Sequence, residues 1–487
     1  MTWRLRLVLL VVVGLAVRVG YVFAYRRHIT PSGDAFYFHY QADLLATGKG
    51  FVDPYSLFWA QKVVPGATHP PLWTLVLALA AVIGIKTFFG QLLYGCVIGS
   101  ASVALVAGAA REVAGPRAGL IAAGITAVYP VFLIDDGSLL AETLVVPLVV
   151  LVVWAFYRLW HRPSLPRAAL LGALCGLCAL TRSELVLLVV FLALPAGLVC
   201  RARSRRRRLA MCGVALVGAL CMFAPWWAYT VPRFSHPELL SDQLGVTLAS
   251  ANCAQTYSGK LLGYWDEQCE VDILTPKAKD ASVRDDDLRR DALRYVEHHA
   301  GRVPVVVAAR VGRALGVFRP GQEIDLEWLI LGRPQLPATI GLGCYYVLAL
   351  LGVAGAVVLR GRRLPLVPFA VILGEVLVMS AVIFGQTRYR TPLDVVLVIL
   401  AAVAVDRFID LRSLRWHRVR SARGRHPSRR EKRDPGAPQG SGTAQDSGTP
   451  DDSRVREERG VRNERDAGII RSGRGTRGAH AITTRDP

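Results

Sequence analysis

The sequence has few of the marks by which a soluble enzyme is usually read. No G-x-G-x-x-G follows a strand pattern anywhere in the 487 residues, which argues against a dinucleotide- or nucleotide-binding domain. Nine cysteines are present without zinc-ligand spacing, and Cys175 and Cys178 make a C-x-x-C only in form, since both sit inside an apolar block where a thiol is a small packing residue. No internal repeat stands out. The apolar residues also lack a period of two or 3.6, so helices with one polar face, the hallmark of a soluble helical protein, are not written here.

What the chain has instead is apolar residues in blocks, with 52% of all residues hydrophobic. Blocks of about 20 such residues cross a hydrocarbon layer of roughly 30 Å. The sequence therefore predicts an all-α polytopic membrane protein. The net charge of +21 could suggest nucleic acid, but much of it lies in "RARSRRRR" (201–208), "RGRR" (360–363) and the segment after Arg412. Arginines clustered at the ends of apolar blocks mark cytoplasmic loops and anionic lipid headgroups, so no nucleic-acid partner is expected.

Threading by these clusters gives ten crossings: 7–25, 88–110, 117–134, 139–158, 168–181, 185–200, 208–229, 338–359, 364–384 and 391–409. The segment 72–85 is too short to span and reads as an interfacial or re-entrant helix on the outer side. Both termini then fall in the cytoplasm. The expected organisation is an N-terminal membrane module (1–229) with its first outer loop (26–71), an extracytoplasmic region (230–337), C-terminal spans (338–410) and a disordered basic cytoplasmic tail (411–487). In the outer region a charged helix is expected near 284–299, and "VPVVVAARVGRALGVF" (303–318) suits a helix lying in the membrane interface. Cys253 and Cys269 lie in the one large polar region, where a disulfide suits an oxidising exterior.

Ionisable residues beside or within spans are costly unless they serve a site. This threading gathers Asp34, His69, Asp135, Asp136, Glu142, Arg182, Glu184, Arg319, Arg388 and Arg390 at one membrane face. Positive charge at 388 and 390, on the outer side, runs against the usual bias. A phosphate would compensate it through bidentate, charge-assisted hydrogen bonds.

Several stretches resemble one known family. "SGDAFYFHYQADLLATGKGF" (32–51) followed by "THPPLWTLVLAL" is similar to the first outer loop of the C-type glycosyltransferase superfamily. That superfamily includes the protein O-mannosyltransferases and the lipid A aminoarabinose transferase. "GALCGLCALTRSELVLLVV" (172–190) resembles its short helical pair with a central arginine, and "TRYRTPLDVVLVILAA" its last span. "ANCAQTYSGKLLGYWDEQC" (251–269) resembles the outer loop of actinobacterial members. The resemblance covers about residues 1–410.

It implies a bundle that transfers a sugar from a polyprenyl-phosphate donor on the outer membrane face, with inversion. Asp34 would be the catalytic first-loop acid, Asp135 or Asp136 the second acid, and Arg388 or Arg390 the donor-phosphate ligand. His69, Arg182, Glu184 and Arg319, gathered at the same face by the threading, are expected to contact substrate. The acceptor would be a cell-envelope glycan, a lipoglycan or a protein. Protein mannosyltransferases carry Asp-Glu in this loop, whereas Ala35 follows Asp34 here, which weakens the case for a protein acceptor. No cofactor is expected; a divalent metal is not implied, although Asp34 and Asp136 could share one if they converged. The alternatives are a transporter or flippase of a lipid-linked sugar, or a receptor that binds glycan through 230–337.

Overall fold

The computed structural model describes residues 1–200, 204–271 and 280–423. Among them there is no strand beyond an isolated bridge between Val52 and Pro65, which closes the first loop. The chain begins with α1 (Trp3–Tyr25), whose first turn is capped by the Thr2 side chain. The loop that follows carries α2 (Gly33–Ala46) and α3 (Pro54–Ala60), and α4 (Pro71–Val82) starts on a proline, where the missing N–H costs little. Next come α5 (Phe88–Ala114), α6 (Pro116–Val128), α7 (Pro130–Asp136) and α8 (Glu142–His161). They are followed by α9 (Leu165–Ala179), α10 (Ser183–Val199) and α11 (Arg205–Thr230).

Five helices are long and apolar enough to cross a membrane: α1, α5, α8, α11 and α16 (Gln335–Gly361). A sixth span is possible if α6 and α7 count together, and their axes bend by 58°. The expected continuous segment 117–134 is thus broken. Pro130 lacks a donor, and it pushes Tyr129 into extended backbone (φ −67°, ψ 116°). Four of the expected ten crossings lie outside this count. One is α18 (Thr391–Arg423), whose apolar stretch carries Asp394, Asp406 and Arg407; the other three, α9, α10 and α17 (Val367–Val382), are short. At 1.5 Å per residue each reaches less than the roughly 30 Å hydrocarbon depth. The last helix, α18 (Thr391–Arg423), runs well past the expected end of its span at 409, so part of the expected tail is helical. The rest of that tail, 424–487, lies outside the described residues.

Helices approach closely where glycine leaves room. A Cβ at Gly172 of α9 would sit 1.8 Å from the Ala215 carbonyl of α11, and one at Gly355 of α16 would sit 1.9 Å from the Leu400 carbonyl of α18. Small residues at such crossings are how helices pack when lipid removes the usual hydrophobic drive. The apolar residues left outside, such as Val8 and Val12 on α1 and Leu350, Val353 and Val357 on α16, form faces suited to lipid.

Between α11 and α16 the chain forms α12 (Leu244–Ala251), α13 (Ala281–His298), α14 (Val303–Ala314) and α15 (Pro320–Leu331). Cys253 and Cys269 are joined as a disulfide. The segment 303–318 departs from the interfacial reading, because both its arginines point into protein. Arg310 donates to the carbonyls of Ala251 and Ala381, and Arg313 to those of Leu262 and Lys260. A basic-apolar pattern fits either environment, and here the carbonyls of loop ends take the guanidiniums.

Candidate active site

The first loop enters α2 through Gly33, whose φ of +53° is a left-handed value that glycine adopts without strain. Asp34 follows in the first helical turn, where a negative charge is favoured. Its carboxylate accepts a hydrogen bond from Arg388 Nη1 at 2.7 Å and lies 3.5 Å from His69 Nε2. His69 is held between the rings of Tyr37 and Phe38. Burial by itself would raise the Asp34 carboxyl. Arg388, and then His69, overcome that and hold it well below the usual carboxylate range.

Arg388 comes from the 3₁₀ turn Thr387–Arg390 ahead of α18. Its Nε lies 4.0 Å from Glu142 Oε1 and has no hydrogen-bond partner. Glu142, at the start of α8, pairs with Arg182, and Arg182 pairs in turn with Glu184. Arg182 is placed by the hinge between α9 and α10, which is fixed by a bond from the Leu72 N–H to the Leu180 carbonyl. The Tyr389 ring receives the Arg182 guanidinium at 4.6 Å and that of Arg388 at 5.5 Å. A chain of alternating charge, Asp34–Arg388–Glu142–Arg182–Glu184, therefore draws on four distant parts of the sequence. Asp34 is its most open member at 28% exposure.

The neighbouring acids separate. Asp135 is fully buried and accepts from Arg333 Nη2 at 2.8 Å and Thr391 Oγ1 at 3.0 Å, which ties it to the turn that bears Arg388. Asp136 faces the other way and takes Arg18 Nε at 2.6 Å. A Cβ at Gly99 would fall 1.9 Å from its carboxylate, so glycine makes room for that pair. Asp34 and Asp136 thus have different partners. Among the described residues no three His, Cys, Asp or Glu side chains are grouped as a metal site would need.

Of the two arginines before α18, Arg390 turns away from Asp34. It lies 3.4 Å from Asp394, with its guanidinium 3.5 Å above the Tyr345 ring. Arg319 also stands apart, donating to the carbonyls of Gly259 and Lys260. Two groups were not foreseen. Arg333 bridges Asp135 and, at 3.6 Å, Glu327; Tyr389 lies under both site arginines. The signal for Arg333 was available: it is an arginine just ahead of an apolar block, as Arg388 is.

Residues 68–229 match the family described as dolichyl-phosphate-mannose-protein mannosyltransferase. That stretch contains His69, Asp135, Asp136, Glu142, Arg182 and Glu184, and excludes Asp34 and Arg388. No curated protein matches by sequence. Among solved structures, the Archaeoglobus fulgidus oligosaccharyltransferase in complex with Zn and sulfate is similar with a TM-score of 0.51 at 17% identity, over 84% of this chain and 50% of that one. The same enzyme tethered to an acceptor peptide gives 0.50 at 15% identity, over 84% and 50%. ArnT from Cupriavidus metallidurans in the apo state gives 0.38 at 15% identity, over 82% and 77%. The chain spans about half the length of the oligosaccharyltransferase it matches. Residues 68–229 are thus similar to that mannosyltransferase family, and the all-helical fold of the described residues is similar to that of the oligosaccharyltransferase.

Proposed function

We propose that the chain is a membrane glycosyltransferase that moves a sugar from a polyprenyl-phosphate donor to an acceptor hydroxyl at the outer face of the cytoplasmic membrane. The observation that carries this reading is the 2.7 Å pairing of Asp34 with Arg388, with His69 alongside. An ionised carboxylate and a guanidinium form one partly exposed site, an arrangement that suits phosphate-leaving glycosyl transfer. The family description for residues 68–229 names a dolichyl-phosphate sugar donor, and this supports a lipid-linked donor here. The Cys253–Cys269 disulfide supports an oxidising side for the outer region.

The chemistry follows from the charges. Asp34 takes the proton of the acceptor hydroxyl as its oxygen attacks the anomeric carbon from the face opposite the phosphate, inverting that centre. The bond from the anomeric carbon to the phosphate oxygen breaks, and its electron pair leaves with the phosphate. Arg388 offers charge-assisted hydrogen bonds to that growing negative charge, an effect often worth several kcal/mol. Glu142, itself paired with Arg182, lies behind Arg388, and the Tyr389 ring supports both guanidiniums.

The test is incubation of membranes carrying the full chain with radiolabelled polyprenyl-phosphate mannose and arabinose. Label is expected to pass to an envelope acceptor with the wild type and not with Asp34→Asn at equal membrane abundance. Label passing equally with Asp34→Asn would overturn the assignment.

A further inference from the structure

Beside Asp34, three aromatic rings stand nearly parallel. Phe36 and Tyr55 are 5.8 Å apart at 6°, Phe36 and Trp59 are 5.2 Å apart at 11°, and Tyr55 and Trp59 are 4.9 Å apart at 7°. Tyr55 and Trp59 lie one turn apart on α3, so both project from one face of that helix. The helix is fixed at its start by the Asp53 side chain, which accepts from the Ser56 N–H at 2.7 Å. It is tied to the catalytic loop by the Tyr55 hydroxyl, which donates to the Gly33 carbonyl at 2.9 Å. The stack is therefore anchored to the residue immediately before Asp34. Its outer member is not covered: Trp59 is 71% exposed, and Phe58 beside it 46%.

A flat ring held rigidly and left uncovered has two common uses, as an anchor in the lipid headgroup layer or as a platform for a sugar ring. The surroundings favour the second. Asp34 lies two residues before Phe36 on α2, and Asp53 two residues before Tyr55 at the capped start of α3, so carboxylates of the first loop adjoin the rings; burial, and then the charges of Asp34, Asp53 and Glu267, raise the Tyr55 phenol. Acyl chains offer nothing to a carboxylate, and holding ionised groups against hydrocarbon is costly. A saccharide satisfies both parts of this surface: its C–H face lies on the electron-rich ring face, and its hydroxyls donate to the carboxylates.

We propose that the Phe36–Tyr55–Trp59 stack is a saccharide-binding surface that seats the acceptor glycan, so that one of its hydroxyls reaches Asp34. This rests on the glycosyltransferase reading above, with the acceptor now a carbohydrate rather than a peptide or a lipid headgroup. The stack binds the acceptor sugar adjoining the reacting hydroxyl, while the donor phosphate is left to Arg388.

The test reads binding without transfer. The full chain in detergent, without donor, is titrated with mannan, arabinan and galactan oligosaccharides of defined length while tryptophan fluorescence is followed. At least one series is expected to give a saturable change that Trp59→Ala weakens by about tenfold and Trp59→Phe restores in part. The readout needs neither donor nor turnover, so an error about catalysis would leave this result standing. Circular dichroism and thermal unfolding of Trp59→Ala establish that the variant is folded. Absence of a saturable change with every series, or a change indifferent to Trp59→Ala, would overturn the proposal. So would strong quenching of Trp59 by brominated lipid in nanodiscs, seen as a wild-type signal missing from Trp59→Phe, which would make the stack a bilayer anchor.

Discussion

Two arginine–carboxylate pairs, built from the same chemistry, are put to opposite uses in this fold. Arg18 and Asp136 lie 2.6 Å apart at 1% and 2% exposure, and Arg18 also donates to the carbonyls of Gly14, Ala127 and Thr126. Arg388 and Asp34 lie 2.7 Å apart at 13% and 28% exposure, with Arg388 Nε unpartnered. The first pair is sealed between α1, α5 and α6 and cannot trade its partners. The second is open on the side of Asp34, while the Arg388 Nε is buried toward Glu142. A buried ion pair contributes little net stability, because desolvation offsets most of the attraction, yet breaking it is costly. A half-open pair escapes part of that desolvation and keeps groups free to engage a substrate.

The sharpest way to break the comparison is to neutralise each carboxylate in turn. Asp34→Asn should lower transfer by about 10²–10⁴-fold, the contribution of a well-placed base, while leaving thermal stability nearly unchanged. Transfer rates at matched membrane abundance check the first part, and detergent-solubilised unfolding checks the second. Were the two pairs equivalent, Asp34→Asn would instead cost folding.

Next in size is the sealed pair. Arg18→Met leaves Asp136 buried and unpaired and should destabilise the chain by about 3–5 kcal/mol, seen as low abundance in the membrane. Arg18→Met combined with Asp136→Leu should recover most of that loss, and transfer per folded molecule should stay at the wild-type level. A double variant no better than the single one would mean the pair is more than a structural clasp.

These contrasts also show what the sequence could carry. Asp34, His69, Glu142, Arg182, Glu184 and Arg388 were legible because each is an ionisable residue beside an apolar block, where it needs a reason to be. The choice between Asp135 and Asp136 was not legible. Adjacent helical residues point about 100° apart, and which side faces α1 depends on packing. Arg390 failed to separate from Arg388 for the same reason. The bend at Pro130 was written in the chain but outweighed by the apolar run around it. The burial of Arg310 and Arg313 depends on loop carbonyls that no local pattern announces.

Acidity sharpens the comparison further. Burial raises Asp34 and Arg388 more than reverses it, so the carboxylate is ionised above its lowered value and is lost only as pH falls through it. The wild-type pH–rate profile should therefore show no acid limb from this group in the neutral range. In Arg388→Gln the burial effect is left with only His69 against it. Residual activity should then fall as pH is lowered, with an acid limb displaced upward from that of the wild type, as protonation removes the base. An unchanged profile in Arg388→Gln would mean that Arg388 does not set the charge state of Asp34.

The smallest effect is expected where the sequence pointed and the structure does not follow. Arg319 was gathered with the site residues because it is a cation at the presumed outer face. Its guanidinium instead donates to the Gly259 and Lys260 carbonyls on an exposed turn and stacks on Phe318 at 5.0 Å. Those carbonyls can bond to water once the side chain is removed, so Arg319→Ala should cost about 1 kcal/mol or less in stability. Transfer should stay within about twofold of wild type, because surface substitutions away from a site rarely exceed that scale. A tenfold loss in transfer with unchanged stability would return Arg319 to the substrate path and enlarge the open side of the site beyond Arg388.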